Sequence, residues 1–130
     1  MPDILGAVFP SMHFFSSADL GTHGTDDVAL FPVVAEYGCN VFITADMAQT
    51  RGRGALNVEE RAACREAGLH WVGIPMDTGR GLHAIAGQSA SLIHALPFVI
   101  DAIDSVSEPH FFRARGPLRQ FSQVVNSGPL

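Results

Sequence analysis

The sequence predicts an α/β fold, a three-layer α/β/α sandwich with a mainly parallel central sheet and an antiparallel hairpin at its end. Short β-prone runs alternate with helical stretches along most of the chain, which favours this class. The run Asn40–Thr44 is almost continuously apolar, as a parallel strand covered on both faces should be. Strand-like runs on either side of Gly116 and Pro117 predict the hairpin.

The first half of the chain predicts a strand, a helix and a second strand. Met12–Phe15 is a short β-prone run that leads into a polar loop containing glycine. We expect a helix from about Asp27, because Thr25 or Asp26 can accept hydrogen bonds from the free N–H groups of a first turn. Gly38 should end this helix, and the apolar strand described above follows it.

In the second half of the chain, the sequence predicts that helices and strands alternate up to the final hairpin. Asn57 and Glu60 form a pair resembling a capping box at the start of a helix. Pro97 lies inside the longest helical stretch, where we expect a kink. The expected elements are the helices Val58–Ala67 and Leu82–Ser105 and the strands Leu69–Ile74, His110–Ala114 and Leu118–Val124.

Length and composition indicate one globular domain over residues 1–130. The chain is 47% hydrophobic, which suffices for a single core. No apolar run approaches the roughly 18 residues that a membrane helix needs. The first ten residues, MPDILGAVFP, lack the basic region of a signal peptide. We therefore expect a cytoplasmic protein that makes no membrane contact.

The charge balance and the cysteines bear on nucleic-acid binding and on thiol chemistry. With 8 basic and 13 acidic residues the formal net charge is −5, so overall charge does not favour nucleic acid. An enzyme of this composition that acts on nucleic acid needs local basic residues, a metal or a partner. Cys39 and Cys64 have no CxxC spacing, so we expect reduced and packed thiols.

Aspartates follow the predicted strands at the edge where loops of a parallel sheet converge. Asp46 follows one strand, Asp77 follows the next, and Asp26 and Asp27 open the helix after the first predicted strand. Carboxylates brought together repel one another, so the pattern predicts a bound cation, most simply Mg²⁺ or Mn²⁺. Such a site can activate water and stabilise the leaving oxygen of a phosphodiester.

Structural interpretations of the same residues stay open. Asp26 and Asp27 can serve only as caps that complement a helix dipole, and Asp46 can be a turn residue. Arg51 and Arg53 follow Asp46 in a glycine-rich stretch. They form either a solvated turn or a contact to phosphate oxygens, which guanidinium groups match in geometry.

The stretch GTDDVALFPVVAEYGCNVFITADMAQTRGRGALNVEERAACREAGLHWVGIP resembles PIN-like domains of the VapC type. The similarity is to the divergent branch with the pattern "GTPD…W.P…G…V.TxD", and it covers roughly Leu20 to Pro75. In that pattern an acid opens a helix and a hydrophobic strand ends in Thr-x-Asp. The resemblance implies a metal-dependent ribonuclease, in many cases a toxin paired with an antitoxin.

The resemblance assigns roles residue by residue. Asp27 matches the acid that opens the helix and Asp46 the acid at the strand end, while Asp26 stands where the pattern has proline. Asp77 or Asp19 would support them. The family's first strand, with its aspartate, has no recognisable counterpart here, so either this strand is missing from the chain or the N-terminal region has diverged. A homodimer would cover the apolar surface that its loss exposes.

Three functions stay open on the sequence alone. The first is a Mg²⁺-dependent endoribonuclease, the toxin of a toxin–antitoxin pair, with Arg51 and Arg53 contacting RNA. The second is a catalytically degenerate PIN-like module that binds RNA or a partner without cutting. The third is an unrelated α/β phosphohydrolase or a receiver-like domain, with Asp46 as phosphoacceptor. The absence of any lysine in the sequence disfavours the receiver.

Overall fold

The computed structural model describes residues 2–16, 27–44, 58–74, 82–114 and 125–130. Within these ranges helices and strands alternate from α2 onward, as the sequence predicts. The helices are α1 (Pro2–Val8), α2 (Asp27–Glu36), α3 (Val58–Glu66) and α4 (Leu82–Asp104), and the strands are β1 (Val41–Thr44), β2 (His70–Gly73), β3 (His110–Ala114) and β4 (Val125–Pro129).

The described strands form one mixed sheet in the order β1-β2-β3-β4. β1, β2 and β3 run parallel, and β4 pairs antiparallel with β3. One row across the sheet joins Phe42 to Trp71, Trp71 to Phe111 and Phe111 to Gly128. The prediction of a mainly parallel sheet with an antiparallel end is therefore confirmed.

Glycines end α2 and α3 as the sequence predicts. Gly38 and Gly68 have φ angles of 96° and 74°, which a residue with a Cβ rarely adopts. After α2, the N–H of Cys39 donates to the carbonyl of Val34 over 3.3 Å and that of Gly38 donates to Ala35 over 3.0 Å. The same pair of bonds follows α3, so both helices end in Schellman motifs.

Hydrophobic clusters lie on the two faces of the sheet because side chains alternate along each strand. Trp71 packs with residues of α2 and α3 on one face, including Phe31 and Cys64. Val72, the next residue of β2, packs with residues of α1 and α4 on the other face, including Leu5. Helices therefore cover both faces of β2.

The predicted strand Met12–Phe15 is wrong. These residues are described and none is in a strand. A strand needs a neighbouring backbone to complete its ladder, and within the described ranges no strand pairs with this segment. Its aromatic rings pack instead: Phe14 lies 6.3 Å from Phe9, and Phe15 lies 4.8 Å from Tyr37, measured between centroids.

Two predictions near the carboxyl end stay predictions, the strand Leu118–Val124 and the kink at Pro97. The predicted strand Leu118–Val124 lies outside the described residues, and the strand that pairs with β3 begins at Val125. α4 continues through Pro97 as one helix, with the proline on its exposed side. Pro97 has no N–H to donate to the preceding turn, so the helix lacks one backbone hydrogen bond at this point.

Candidate functional site

The carboxyl ends of β1 and β2 lie side by side. The N–H of Ile74 donates to the carbonyl oxygen of Thr44 over 2.8 Å. α2 is followed by the turn at Gly38 and then by β1. The helix packs against this strand, since the ring centroids of Phe31 and Phe42 lie 4.9 Å apart. Because a helix joined to a strand by a short turn folds back along that strand, we expect the first residue of α2 to lie toward this same edge of the sheet.

Most of the predicted site lies outside the described residues. This applies to Asp26, Asp46, Asp77, Arg51 and Arg53. Asp27 is the first residue of α2, as predicted, and the structure describes its backbone but not its side chain. Among the side chains that the structure does describe, no three His, Cys, Asp or Glu residues are grouped so that they could hold a metal ion.

A cavity of about 790 Å³ lies on the outer side of β1. We call it the edge cavity. The segment Ser11–Ser16 forms one wall and β1 forms the opposite wall. α4 and the region from α2 to Asn40 contribute the rest of the lining, which is mainly apolar: Leu30, Val34, Leu96, Val99, Ile100 and Ile103.

The backbone of β1 presents polar groups toward the edge cavity. The carbonyls of Asn40 and Thr44 accept hydrogen bonds from the chain of β2. In a parallel ladder, alternate residues direct both N–H and C=O to the same side. Val41 and Ile43 therefore point theirs away from β2, and no backbone partner for them lies within the described ranges.

The edge cavity is acidic at one end. Asp104, the last residue of α4, is exposed, and it is the only acidic or basic residue apart from His13 among the described lining residues. The carbonyl end of a helix adds negative potential at the same place. Asp104 and the outward groups of β1 therefore add polar character to the cavity, together with the polar side chains of its lining: Ser11, His13, Ser16, Tyr37, Asn40 and Thr44.

One cysteine faces the edge cavity and the other is buried in the core. Cys39 lines the cavity, and desolvation by burial raises the pKa of its thiol. Burial raises the pKa of Cys64 to about 12, and its thiol donates to the carbonyl of Leu69 over 3.3 Å. Both are free thiols, as predicted.

A pair of histidines joins the amino ends of β2 and β3. The N–H of His110 donates to Nδ1 of His70 over 3.1 Å. Desolvation, and then the nearby His110, lower the pKa of His70. Nδ1 can accept this bond only when it carries no proton, so the geometry requires the neutral ring with its proton on Nε2.

Two guanidinium groups contact one aromatic ring on the α3 face of the sheet. Arg61 and Arg113 each lie 5.7 Å from the centroid of Phe111. Arg61 also donates to the carbonyl of Pro129 over 3.1 Å. The spacing of Phe111 and Arg113 along one strand was a sequence signal that they share a face. Nothing local in the sequence links them to Arg61.

Arg113 belongs to the carboxyl edge of the sheet. It pairs with Gly73, which in turn pairs with Thr44, so these residues form one row across β1, β2 and β3. Two strand spacings amount to about 10 Å. Arg113, a basic residue that the sequence did not single out, therefore lies about 10 Å from Thr44, the last residue of β1. Asp46 follows Thr44 by two positions.

Comparison of the chain with protein-family models, with curated proteins and with solved structures found no match. None of the helices in the described ranges combines the length and the apolarity that crossing a bilayer requires.

Proposed function

We propose that this protein is a Mg²⁺- or Mn²⁺-dependent endoribonuclease of the PIN type, the toxin of a toxin–antitoxin pair that acts in the cytoplasm. We also propose that its fold is a three-layer PIN-like sandwich. Its substrate is RNA, and its protein partner is an antitoxin.

The observation that supports this proposal most is the hydrogen bond between Ile74 and Thr44. Asp46 follows Thr44 by two positions and Asp77 follows Ile74 by three, and a chain advances by at most about 3.8 Å per residue. Both acids thus follow strand ends that touch, and Asp27 begins the helix that starts toward the same edge. These neighbouring strand ends support the proposed convergence of the acids, which a carboxylate site requires.

The donor set suits the proposed ions. Carboxylate oxygens are the ligands that Mg²⁺ and Mn²⁺ prefer, whereas a site rich in Cys or His would indicate other metals. When bound, such an ion supplies an activated water and charge stabilisation for the leaving oxygen. In the proposal Asp27 and Asp46 hold the ion, and Asp77 and Asp26 add negative charge around it.

Arginines hold the RNA backbone in this proposal. Arg51 and Arg53 follow Asp46 closely in the sequence, and guanidinium groups match phosphate oxygens in geometry. Arg113 extends this set, because its row also contains Thr44. Local basic residues of this kind are what a chain with a formal net charge of −5 needs to bind RNA.

RNA cleavage tests the proposal. We expect the full chain to cut a labelled single-stranded RNA in the presence of Mg²⁺ or Mn²⁺ and to stop when EDTA is added. Asp46→Asn should abolish cleavage. Asp101→Asn, a change at an exposed aspartate of α4, should leave it unchanged. Equal cleavage rates for Asp46→Asn and the unchanged protein would rule the assignment out.

A catalytically degenerate PIN-like module is the second candidate. The observation that favours it is the edge cavity, because β1 is the outermost strand of the described sheet and no described strand lies on its outer side. In the PIN-like resemblance the first strand carries a metal-binding aspartate, so a module without that strand would have one carboxylate fewer to hold a metal. RNA or partner binding without cleavage, together with no saturable Mn²⁺ binding, would select this candidate.

A further inference from the structure

We propose that the edge cavity is a docking site for one extended, apolar segment of a partner protein, which adds to the sheet as a strand beside β1. The segment has about five apolar residues and a basic residue at the end that meets Asp104. This inference does not depend on the ribonuclease proposal, because it uses neither Asp27 nor Asp46.

The backbone of β1 supplies the first argument. Val41 and Ile43 present their N–H and C=O groups to the cavity rather than to β2. A row of such groups on a sheet edge is a template for pairing with another strand. Peptide segments that bind by strand addition gain affinity from these main-chain bonds.

The volume of the edge cavity supplies the second argument. A strand residue inside a layered fold occupies roughly 160 Å³, given a rise of about 3.3 Å, a strand spacing of about 4.8 Å and a layer spacing of about 10 Å. The cavity of about 790 Å³ therefore holds about five such residues. This length matches the four residues of β1.

The lining determines the side chains of the occupant. Leu30 and Val34 of α2 line the cavity from one face of the sheet, and Val99 and Ile103 of α4 line it from the other. A strand between these layers has an apolar environment on both of its faces. We therefore infer a continuous apolar run rather than alternation of apolar and polar residues.

Charge complementarity determines the end of the segment. Asp104 is an exposed residue of the cavity lining, at the carbonyl end of α4. A lysine or arginine next to the apolar run would meet a carboxylate and a negative helix end together. An acidic residue at the same place would be repelled.

This chain itself offers no such segment among its described residues. β2 and β3 are paired on both sides, and β4, with the sequence VNSGP, is polar. Met12–Phe15 is apolar, but it lies within the opposite wall of the cavity, where Phe15 packs on Tyr37. Among the described residues, therefore, none fits the edge cavity as a strand, and the occupant that we propose is a segment of another protein.

Peptide binding to the full chain tests the proposal. The probe is a fluorescein-labelled heptapeptide of five alternating valines and isoleucines between two lysines. We expect saturable binding by fluorescence polarisation. Methylation of alternate backbone nitrogens should weaken it about tenfold, because ladder bonds are lost. Replacing both lysines with glutamates should weaken it about threefold or more.

Protein variants and amide exchange supply the matched controls. Asp104→Lys should reverse the preference, so that the glutamate peptide binds more tightly than the lysine peptide. In hydrogen exchange followed by NMR, the amides of Val41 and Ile43 should become protected at saturating peptide. The amide of Phe42, which faces β2, should be protected already.

Four outcomes would overturn the proposal. The first is the absence of saturable binding, and the second is equal affinity for the methylated and unmethylated peptides. The third is an unchanged charge preference in an Asp104→Lys variant whose thermal unfolding midpoint matches that of the unchanged protein. The fourth is protection of Val41 and Ile43 without peptide that grows with protein concentration, which would identify a second copy as the occupant.

Discussion

The backbone N–H of His110 donates a hydrogen bond to Nδ1 of His70 across 3.1 Å, so the amino ends of β2 and β3 are joined by a side chain. The two rings lie 6.1 Å and 6.4 Å from that of Phe112, on β3. A proton on Nδ1 of His70 would remove the acceptor of this bond. The contact therefore couples the stability of the sheet to pH.

We expect the protein to lose stability as the pH falls below about 6.5, the ordinary pKa of histidine. The folded state lowers the pKa of His70, so the unfolded chain takes up the proton first. This contribution is fully present above the unfolded pKa and is lost as the pH falls toward the folded pKa. Urea midpoints at pH 7.5 and pH 5 measure it.

The matched variants are His70→Asn and His94→Asn. Asparagine can accept the bond from His110 through Oδ1 and does not titrate, so His70→Asn should show a smaller fall in its urea midpoint. His94 is exposed on α4, and its replacement should leave the fall unchanged. An undiminished fall in His70→Asn would show that another group causes it.

Trp71 should tolerate phenylalanine far better than alanine. Its side chain is 3% exposed, and its Nε1 is buried without a hydrogen-bond partner within the described ranges. Phenylalanine removes this donor, whose burial costs about 1–3 kcal/mol, and keeps most of the apolar surface. We expect Trp71→Phe to lie within about 1 kcal/mol of the unchanged protein and Trp71→Ala to cost about 3–5 kcal/mol. Similar unfolding free energies for both variants would contradict this.

Two glycines should respond to alanine in opposite directions. Gly68 has a φ of 74° and nothing within 4 Å of an added Cβ. Gly68→Ala should therefore lower the free energy of unfolding by about 1 kcal/mol, because alanine disfavours the left-handed backbone conformation. Gly6 lies inside α1, also with nothing within 4 Å of an added Cβ. Gly6→Ala should stabilise the protein by about 0.5–1 kcal/mol. Denaturant titrations of the two variants measure both changes, and the same sign for both would be inconsistent with this structure.

The two thiols should differ in reactivity. Cys39 lines the edge cavity and is half-buried, whereas Cys64 is 0% exposed and its pKa is raised to about 12. With Ellman's reagent at pH 8, we expect one thiol to react in the folded protein and the second only after unfolding. Cys39→Ala should remove the first reaction. Rapid reaction of the folded Cys39→Ala variant would contradict the burial of Cys64.

Local signals in the sequence predicted the elements that depend on local physics. Gly38 and Gly68 end their helices as predicted, because a Schellman motif needs only one residue that accepts a positive φ. The apolar run of β1 and the strand His110–Ala114 were also predicted. Short-range capping and the apolar pattern determine these elements.

Features that depend on distant residues were missed. Met12–Phe15 has the composition of a strand, but a strand exists only where a neighbour completes its ladder. The edge cavity arises from α4, β1 and the segment Ser11–Ser16, which are far apart in the sequence. The same holds for Arg61 beside Phe111. The predicted acids Asp26, Asp46 and Asp77 lie outside the described residues, so their convergence stays a prediction.

Calorimetric titration with Mn²⁺ tests most directly whether these acids form one metal site. We expect saturable binding to the full chain, lost in Asp46→Asn and in Asp27→Asn and unchanged in the exposed-residue control Asp101→Asn. The unfolding midpoints of the variants without metal should match that of the unchanged protein, which separates lost ligands from lost fold. Undiminished Mn²⁺ binding in Asp46→Asn, or no binding to the unchanged protein, would contradict the proposed site.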